Sequence, residues 1–386
     1  MGQSMKICFY AHDQFVENGA SRSMIGLILE LKKKNIDSIV ILRQKGSLSK
    51  ALDNAGIPYQ TKKLCALTVS ADTHVGWMEK MGNWIRRLYN YPMTWLLARR
   101  LRKEKIDLIH INKAVGFCGA LLANFLHVPY VWHLREYLDE DYNRKFVFPS
   151  YIYSYMRHAY KLIAISDDVR QVWEQRIGNV CIVRIYNAVS TIDPIRRDDY
   201  AVIPKCILMI GSITEGKRQL DAVKAVRILS KRGLDVKLRI VGKVVSSQYD
   251  MVLKKYVAEH DLEKHVEFFS YTSNVYALRE DAYIALLCSK REAFGRVTLE
   301  AMLSGNLFIG PDAGGTKELV EDHVTGLLYR SGDIYDLANK IELVYKNPEA
   351  YKVVIENARR FALEHFSLSQ MTDQIITLYK DVQEVR

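Results

Sequence analysis

The stretch that decides the fold class runs Tyr283-Ile284-Ala285-Leu286-Leu287-Cys288-Ser289-Lys290-Arg291-Glu292-Ala293-Phe294-Gly295-Arg296-Val297-Thr298-Leu299-Glu300-Ala301. Its first five residues are apolar and predict a buried strand, while its last residues predict the start of a helix. Gly295 stands just before that helix, where a glycine lets the backbone come close to a ligand. A strand, a glycine turn and a helix in this order form the repeating unit of an α/β sheet.

The same alternation continues outward from this stretch towards both ends of the chain. Strands are predicted at 7–11, 38–42, 108–111, 130–133, 162–165, 181–185, 206–210, 238–241, 266–269, 283–287 and 307–309. A polar, turn-rich segment at 190–204 interrupts the pattern. We therefore expect two Rossmann-like domains, residues 1–195 and 196–365, each with a parallel sheet and facing each other across a cleft. The terminal segment 366–386 predicts a helix that packs back on the first domain.

The composition is that of a soluble globular protein. The chain has 386 residues, of which 49% are hydrophobic and 26% charged, a length that suits two domains. The N-terminal apolar stretch is too short for a secretory signal, and no window is long and apolar enough for a transmembrane helix. The six cysteines have no metal-binding or disulfide spacing, so we expect buried free thiols in a reducing cytosol and no metal site.

The positive charge is concentrated in the first half of the chain. Residues 1–195 contain 27 lysines and arginines against 17 acids, whereas residues 196–386 contain 28 against 27. Such asymmetry indicates an anionic partner for the first domain. Nucleic acid is one alternative, but no recognised nucleic-acid-binding motif supports it.

A membrane surface is the other alternative, and residues 75–106 favour it. This segment holds eight lysines and arginines against two acids, and three of the five tryptophans. Within it, one helical face is apolar and aromatic; its members are Trp77, Met81, Trp84, Ile85 and Leu88. Apolar and cationic side chains together suit the interface of an anionic membrane. We expect a cytoplasmic protein with a peripheral contact at the inner face of the cell membrane.

The opening stretch also has the residues for binding a phosphorylated ligand. The backbone N–H groups of Val297 and Thr298 lie at a helix start, a position that favours phosphate. Glu292 precedes this turn and Glu300 follows it, with seven residues between them. Carboxylates accept hydrogen bonds from paired hydroxyls, so one glutamate can hold a sugar and the other a ribose.

The arrangement of Glu292 and Glu300 around Phe294 and Gly295 resembles the signature of the family-4 retaining glycosyltransferases, which have the GT-B fold. Further segments resemble landmarks of that family in the same order along the chain. They are 18–22, 131–133, 163–166, 186–189, 211–217, 310–318 and 325–328. One departure is Ser212, which stands where the family has an arginine.

The resemblance implies a role for each matching residue. It implies catalytic roles for Glu292, His133 and Lys217, with His133 near the reacting carbon and Lys217 on the donor diphosphate. The implied donor-binding set is Gly211, Ser212, Lys217, Gly242, Tyr271, Glu292, Phe294, Gly295, Val297, Thr298 and Glu300. Gly19, Ala20 and Arg22 would form an acceptor or phosphate loop in the first domain.

The implied activity is a retaining, hexosyltransferase-type transfer that needs neither a metal nor a cofactor. The donor would be a nucleotide-diphosphate sugar, with UDP favoured, and the acceptor a glycan or a lipid-linked diphosphate. This is the chemistry of bacterial surface polysaccharides such as capsule or lipopolysaccharide. Two alternatives stay open: a sugar-nucleotide epimerase of the same architecture, and a basic nucleic-acid-binding protein.

Overall fold

The computed structural model describes residues 5–178, 180–189, 206–272 and 274–384. It consists of two compact units. The first contains the described residues up to Ala188 and those from Leu368 onward, and the second runs from Val189 to Ser367. The boundary predicted between residues 195 and 196 lies outside the described residues.

The first unit is built on a seven-stranded parallel sheet. Its strands and the pair beside it are β1 (Lys6–Ala11), β2 (Asp37–Leu42), β3 (Tyr59–Thr61), β4 (Thr68–Ser70), β5 (Leu108–Ile111), β6 (Tyr130–Leu134), β7 (Arg144–Phe146), β8 (Lys161–Ala164) and β9 (Ile182–Arg184). The order across the sheet is β3-β2-β1-β5-β6-β8-β9, and β4 and β7 form a separate antiparallel pair. Central strands such as β1 and β5 are buried, as expected for a parallel sheet covered on both faces.

Helices connect these strands and cover the sheet. They are α1 (Gly19–Lys33), α2 (Ser47–Asn54), α3 (Trp77–Leu101), α4 (Phe117–Leu126), α5 (Asp139–Tyr142), α6 (Pro149–Arg157) and α7 (Asp167–Ile177), with a short 3-10 helix at Arg102–Glu104. In α1 the predicted apolar face is buried in the core through Met24, Leu27, Ile28 and Leu31.

The second unit is a six-stranded parallel sheet with the order β12-β11-β10-β13-β14-β15. Its strands are β10 (Cys206–Ile210), β11 (Lys237–Val241), β12 (Val266–Phe269), β13 (Ile284–Leu286), β14 (Leu307–Pro311) and β15 (Leu327–Tyr329). Its helices are α8 (Gln219–Lys231), α9 (Ser247–Ala258), α10 (Tyr276–Glu280), α11 (Arg296–Ser304), α12 (Thr316–Leu319), α13 (Ile334–Lys346) and α14 (Lys352–His365), with 3-10 helices at Glu215–Lys217 and Pro348–Tyr351.

The last helix, α15 (Leu368–Glu384), belongs to the first unit although it follows the second in sequence. Its side chains Met371, Ile375 and Tyr379 lie in the same core as α1 and β1. Lys34 and Asp373 add an ion pair between the end of α1 and α15, with Nζ and Oδ1 2.6 Å apart.

Among the described residues, no helix has the length and apolarity to cross a membrane. All six cysteines are free thiols, and four of them are buried. Cys181 is exposed just before β9, so the expectation of buried thiols is wrong for this residue. It precedes the edge strand of the sheet, where no further strand covers it.

Candidate functional site

The predicted donor-binding residues follow four strands of the second unit, and the predicted glycine turn follows a fifth strand next to them. Tyr271 comes after β12, Gly242 after β11, and the segment 211–217 after β10. Residues 292–300 come after β13, and β14 leads into the glycine pair Gly314-Gly315. Because all these strands are parallel, their carboxyl ends lie along one edge of the sheet, which is where open α/β sheets bind ligands. The structure therefore brings these segments to a common edge.

Gly242 lets the backbone segments after β10 and β11 touch. A Cβ atom added to Gly242 would lie 1.9 Å from the backbone oxygen of Gly211, far inside any allowed contact. The N–H of Gly211 donates to the oxygen of Val241 at 2.9 Å, which extends the strand pairing by one residue. Ser212 follows directly and is exposed, while its carbonyl oxygen accepts a hydrogen bond from Gln219 Nε2.

Lys217 and Glu292 form an ion pair between the loops after β10 and β13. Lys217 Nζ lies 2.7 Å from Glu292 Oε2. The N–H of Lys290 donates to the oxygen of Gly216 at 3.0 Å, so backbone contact holds the two loops together as well. The side chains are 30% and 19% exposed, so a ligand can reach both. Sequence reasoning predicted both residues but not that they contact each other.

The glycine pair after β14 supports Glu292 from behind. The N–H of Gly315 donates a hydrogen bond to the backbone carbonyl oxygen of Glu292 at 2.7 Å. Gly314 has φ +57°, and a Cβ added there would lie 2.7 Å from the same oxygen. Only glycine allows this approach, because the contact is to backbone and the conformation is left-handed. The Gly-Gly turn thus fixes the position of the Glu292 backbone.

The start of α11 departs in part from the sequence prediction. Gly295 has φ +96° and immediately precedes the helix, as expected for its close backbone approach. The Thr298 N–H, however, donates to the Gly295 oxygen at 2.9 Å, and the Thr298 side chain is buried. Val297, in the same turn, is half-buried. Phe294 is buried and packs edge-on against Phe366, with ring centroids 6.0 Å apart, so its side chain supports the loop from within.

Glu300 is held by two arginines, one of which sequence reasoning missed. Arg279, at the end of α10, donates to Glu300 Oε2 at 2.7 Å and to Ser304 Oγ at 3.2 Å. Its side chain is only 5% exposed. Arg296, one turn before Glu300, lies farther away, with Nη2 and Oε1 3.6 Å apart. A buried guanidinium therefore orients this carboxylate.

His133, the histidine predicted in the first unit, is the end of a buried polar chain. Its Nδ1 lies 3.1 Å from His110 Nε2, and His110 Nδ1 lies 2.6 Å from the Tyr379 hydroxyl. Burial, with the positive charge of Arg135, holds the pKa of both histidines well below the ordinary value of 6.5. Among the described residues, His133 Nε2 is buried without a hydrogen-bond partner. An orphaned buried polar atom costs about 1–3 kcal/mol, so this nitrogen is suited to a ligand hydroxyl.

The predicted loop of the first unit lies at the start of α1, after β1. Gly19 is exposed at the first helical position, and the Ala20 oxygen accepts a hydrogen bond from Asn112 Nδ2 at 3.2 Å. Arg22 Nη2 lies 3.4 Å from the backbone carbonyl oxygen of Glu17. The carboxyl ends of β1, β5 and β6 are neighbours in the sheet, so this loop shares an edge with the His133 strand end.

A second buried polar group in the first unit was not found from sequence. Glu136 follows β6 and accepts a hydrogen bond from the Ala114 N–H at 2.9 Å. Burial raises the pKa of its carboxyl from 4.5 to about 7, against the opposing effect of the Lys113 charge. Lys113 is itself buried and pairs with Asp13, with Nζ and Oδ2 2.8 Å apart. No motif flags these residues, because they come from three separate loops.

Comparison with known proteins places both units in known families. The model for glycosyl transferases group 1 matches residues 199–361, and the model for glycosyltransferase family 4 matches residues 17–192. Together they span most of the chain.

Individual relatives and solved structures are similar to this chain as well. N-acetyl-alpha-D-glucosaminyl L-malate synthase of Bacillus anthracis is 24% identical over 76% of this chain and 80% of its own length. A Campylobacter jejuni GalNAc-alpha-(1->4)-GalNAc-alpha-(1->3)-diNAcBac-PP-undecaprenol alpha-1,4-N-acetyl-D-galactosaminyltransferase is 28% identical over 46% of this chain and 48% of its own. The solved structure of Anabaena Alr3699/HepE in complex with UDP and glucose superposes with a TM-score of 0.80 at 21% identity, covering 98% of this chain and 100% of that one. Two parallel-sheet Rossmann-like units, matched by these models and neighbours, place the chain in the family-4 glycosyltransferases of the GT-B fold.

Proposed function

We propose that the protein transfers a sugar from a UDP-sugar to a lipid-linked or glycan acceptor, with retention of anomeric configuration. The observation that carries this proposal is the accessible ion pair of Lys217 and Glu292 at the carboxyl edge of the second sheet. The neighbour solved with UDP and glucose supports the choice of nucleotide.

The pair is suited to exchange partners when a donor binds. The donor diphosphate replaces Glu292 as the partner of Lys217, because the diphosphate carries more negative charge than a carboxylate. Its oxygens form charge-assisted hydrogen bonds worth about 1.5–3 kcal/mol. Glu292 is then released to accept hydrogen bonds from sugar hydroxyls. The same side chains therefore neutralise each other in the free protein and recognise two parts of the donor in the complex.

The rest of the donor follows the sheet edge on either side of this pair. Glu300, oriented by Arg279, accepts hydrogen bonds from the two ribose hydroxyls. The exposed Tyr271 ring and the tight backbone at Gly242 border the nucleobase. The helix start at Gly295 and Val297 lies against the phosphates, where the positive end of the helix dipole favours negative charge.

In the first unit, the neutral His133 offers its orphaned Nε2 to a sugar hydroxyl. Gly19, Ala20 and Arg22 border a phosphate or the acceptor. A neutral imidazole suits this task, because a sugar hydroxyl needs a hydrogen-bond partner and no charge.

As the bond between anomeric carbon and diphosphate breaks, negative charge grows on the leaving phosphate. Lys217 and the start of α11 are fixed around that charge and stabilise it. The acceptor hydroxyl attacks from the same face that the diphosphate leaves and gives its proton to the departing phosphate oxygen. Attack and departure on one face retain the configuration. The side chains supply the required charge, so we propose that transfer needs no metal and no cofactor.

For the acceptor we propose a lipid-linked diphosphate at the inner face of the cell membrane, as in assembly of capsule or lipopolysaccharide. Two observations support this. The excess of positive charge lies in residues 1–195, and the Campylobacter relative is named for an undecaprenol diphosphate acceptor.

The test is product formation from a panel of UDP- and GDP-sugars with a polyprenyl-diphosphate glycan, followed by mass spectrometry and by NMR of the new anomeric centre. Glu292→Gln and Lys217→Ala should each lose most of the transfer. Glu356→Gln and Lys231→Ala change exposed residues on α14 and α8 and serve as matched controls. Full turnover in both site variants contradicts the assignment, and conversion of the donor without acceptor identifies an epimerase instead. Activity abolished by EDTA contradicts the metal-independent mechanism.

A further inference from the structure

Helix α3 carries large apolar side chains on the side that faces solvent. We call these residues the outward face: Trp77, Met78, Met81, Trp84, Ile85, Leu88, Trp95 and Leu96. Trp77 is 69% exposed, and Ile85 and Leu88 are each 63% exposed. Single exposed apolar residues are common, but eight on one helix form a continuous patch, and such patches mark interaction sites.

Over residues 77–94 the orientation of α3 is the reverse of an ordinary surface helix, whereas its last turns pack on the domain through Leu97, Ala98 and Leu101. Successive residues turn by about 100° around the axis, so the outward face lies roughly opposite the side that packs on the domain. That packed side includes the polar residues Asn83, Asn90 and Thr94, which are buried. In an ordinary amphipathic helix the apolar side would be the packed one.

Specific hydrogen bonds fix this reversed orientation. Asn90 Oδ1 accepts from the Cys65 N–H and Asn90 Nδ2 donates to the Cys65 oxygen, both at 2.9 Å. Arg87 stacks on the Tyr151 ring at 3.8 Å and so ties the same side of the helix to α6. Rotating the apolar face inward would break these contacts and bury cations, so the exposure is built into the fold.

Cations border the outward face. Lys80 lies on one side of it, Arg86 and Arg100 lie on the other, and all three are exposed. Arg99 lies within the face, with its guanidinium 5.0 Å from the Trp95 ring. The one acid of α3, Glu79, accepts from the Gly76 N–H at the helix start. The patch therefore combines apolar area with positive charge.

We propose that the outward face of α3 binds the headgroup and upper acyl region of an anionic phospholipid membrane. Apolar residues flanked by lysine and arginine are the pattern of a helix that lies in the membrane interface. Tryptophans are favoured at this depth because their rings are partly apolar and partly polar. A second copy of the chain is a poorer occupant, since pairing two such faces would oppose their cations.

This inference deepens the membrane contact proposed above and names the surface that makes it. It does not depend on which sugar is transferred, because binding to lipid can be measured without donor or acceptor. An enzyme that uses a membrane-bound acceptor gains from the contact, since the enzyme and this acceptor are then held at the same surface.

The experiment is flotation of the full chain with vesicles of phosphatidylcholine, alone or mixed with phosphatidylglycerol. The wild type should float with the mixed vesicles and less with phosphatidylcholine alone. The variant Trp77→Ser/Ile85→Ser/Leu88→Ser should bind the mixed vesicles about tenfold more weakly or worse. Arg86→Gln/Arg100→Gln should lose the preference for phosphatidylglycerol and its sensitivity to salt.

A matched control changes other apolar residues of the second unit that are at least half exposed. Met251→Ser/Leu343→Ser/Val353→Ser alters side chains that are 64%, 50% and 57% exposed and should bind vesicles like the wild type. Tryptophan fluorescence gives a second measurement. Trp132 and Trp173 are fully buried, so a blue shift on adding vesicles reports on the three tryptophans of α3.

The outcomes separate this inference from the proposed activity. Equal vesicle binding by the wild type and the α3 triple variant would overturn the proposed membrane surface. It would also be overturned if the wild type bound no vesicles and formed a dimer that the triple variant converts to monomers. Transfer to a water-soluble acceptor should be the same in both proteins. If transfer to the water-soluble acceptor is lost in Glu292→Gln but not in the α3 variant, the loss reports on the catalytic site and not on membrane binding.

Discussion

Glu292 and Glu300 in the second unit have surroundings opposite to those of Glu136 in the first unit. In the second unit, Glu292 and Glu300 are partly exposed and each contacts a cation at 2.7 Å. In the first unit, Glu136 is buried, has one carboxyl oxygen without a hydrogen-bond partner among the described residues, and has its pKa raised to about 7. A carboxylate that is paired and reachable can exchange its partner for a ligand, whereas a sealed one mainly alters stability. The difference is consistent with the donor site proposed at Glu292 and Glu300.

The largest expected effect comes from the turn that holds Glu292. In Gly314→Ala, the new Cβ meets the Glu292 backbone at 2.7 Å and the left-handed conformation becomes strained, so the carboxylate must move. Displacing a substrate-positioning group by about 1 Å can cost roughly 100-fold in rate. We expect a loss of that size in kcat/KM, measured with a UDP-sugar under initial-rate conditions.

Gly233→Ala is the matched control. Gly233 also has a positive φ, +80°, but a Cβ there meets no atom within 4 Å. If both variants lose activity equally, general backbone strain accounts for the loss, and the comparison between the two kinds of glutamate loses its support.

A smaller effect is expected from the arginines that hold Glu300. Arg279→Ala removes the 2.7 Å contact and should raise the KM for the donor about tenfold with a modest change in kcat, as expected when uniform binding is lost. Arg296→Ala removes a contact of 3.6 Å and should raise this KM less. Initial rates over a range of donor concentrations measure both. The reverse order of the two variants would show that Arg279 does not orient Glu300.

The smallest expected effect on transfer belongs to Glu136→Gln, which acts on stability. The folded-state pKa of Glu136 lies above its ordinary value of 4.5, so its favourable contribution is complete below pH 4.5 and is lost as pH rises through 7. A neutral glutamine avoids this loss. The variant should therefore gain up to about 3 kcal/mol in free energy of unfolding, relative to the wild type, between pH 4.5 and 8. Urea unfolding across this range measures it, and a difference that does not change with pH refutes the raised pKa.

Much of the fold and part of the site followed from sequence, for physical reasons that particular residues illustrate. Apolar runs predicted the strands, and the apolar spacing of α1 predicted its buried face. The face of α3 was predicted too, but periodicity alone cannot say whether such a face meets the domain or the solvent. That choice depends on tertiary contacts such as those of Asn90 with Cys65.

In the site, local pattern identified Lys217, Glu292, Glu300 and His133, but it missed Arg279, which holds Glu300, and the pair of His110 and Tyr379 behind His133. Arg279 lies 21 residues before Glu300, and Tyr379 lies 269 residues after His110, so no local spacing relates them. Phe294 belongs to the motif, yet its side chain packs inward on Phe366. A motif fixes residue types and their order, while the direction of each side chain depends on the rest of the fold.

The position of α15 in the chain has a consequence for biosynthesis. This helix completes the core around β1 and supplies the hydroxyl that contacts His110, yet it emerges from the ribosome after the entire second unit. The second unit is continuous in sequence and can fold during translation. The apolar surface of α1 that packs against α15 therefore stays uncovered until the second unit and this last helix have been made.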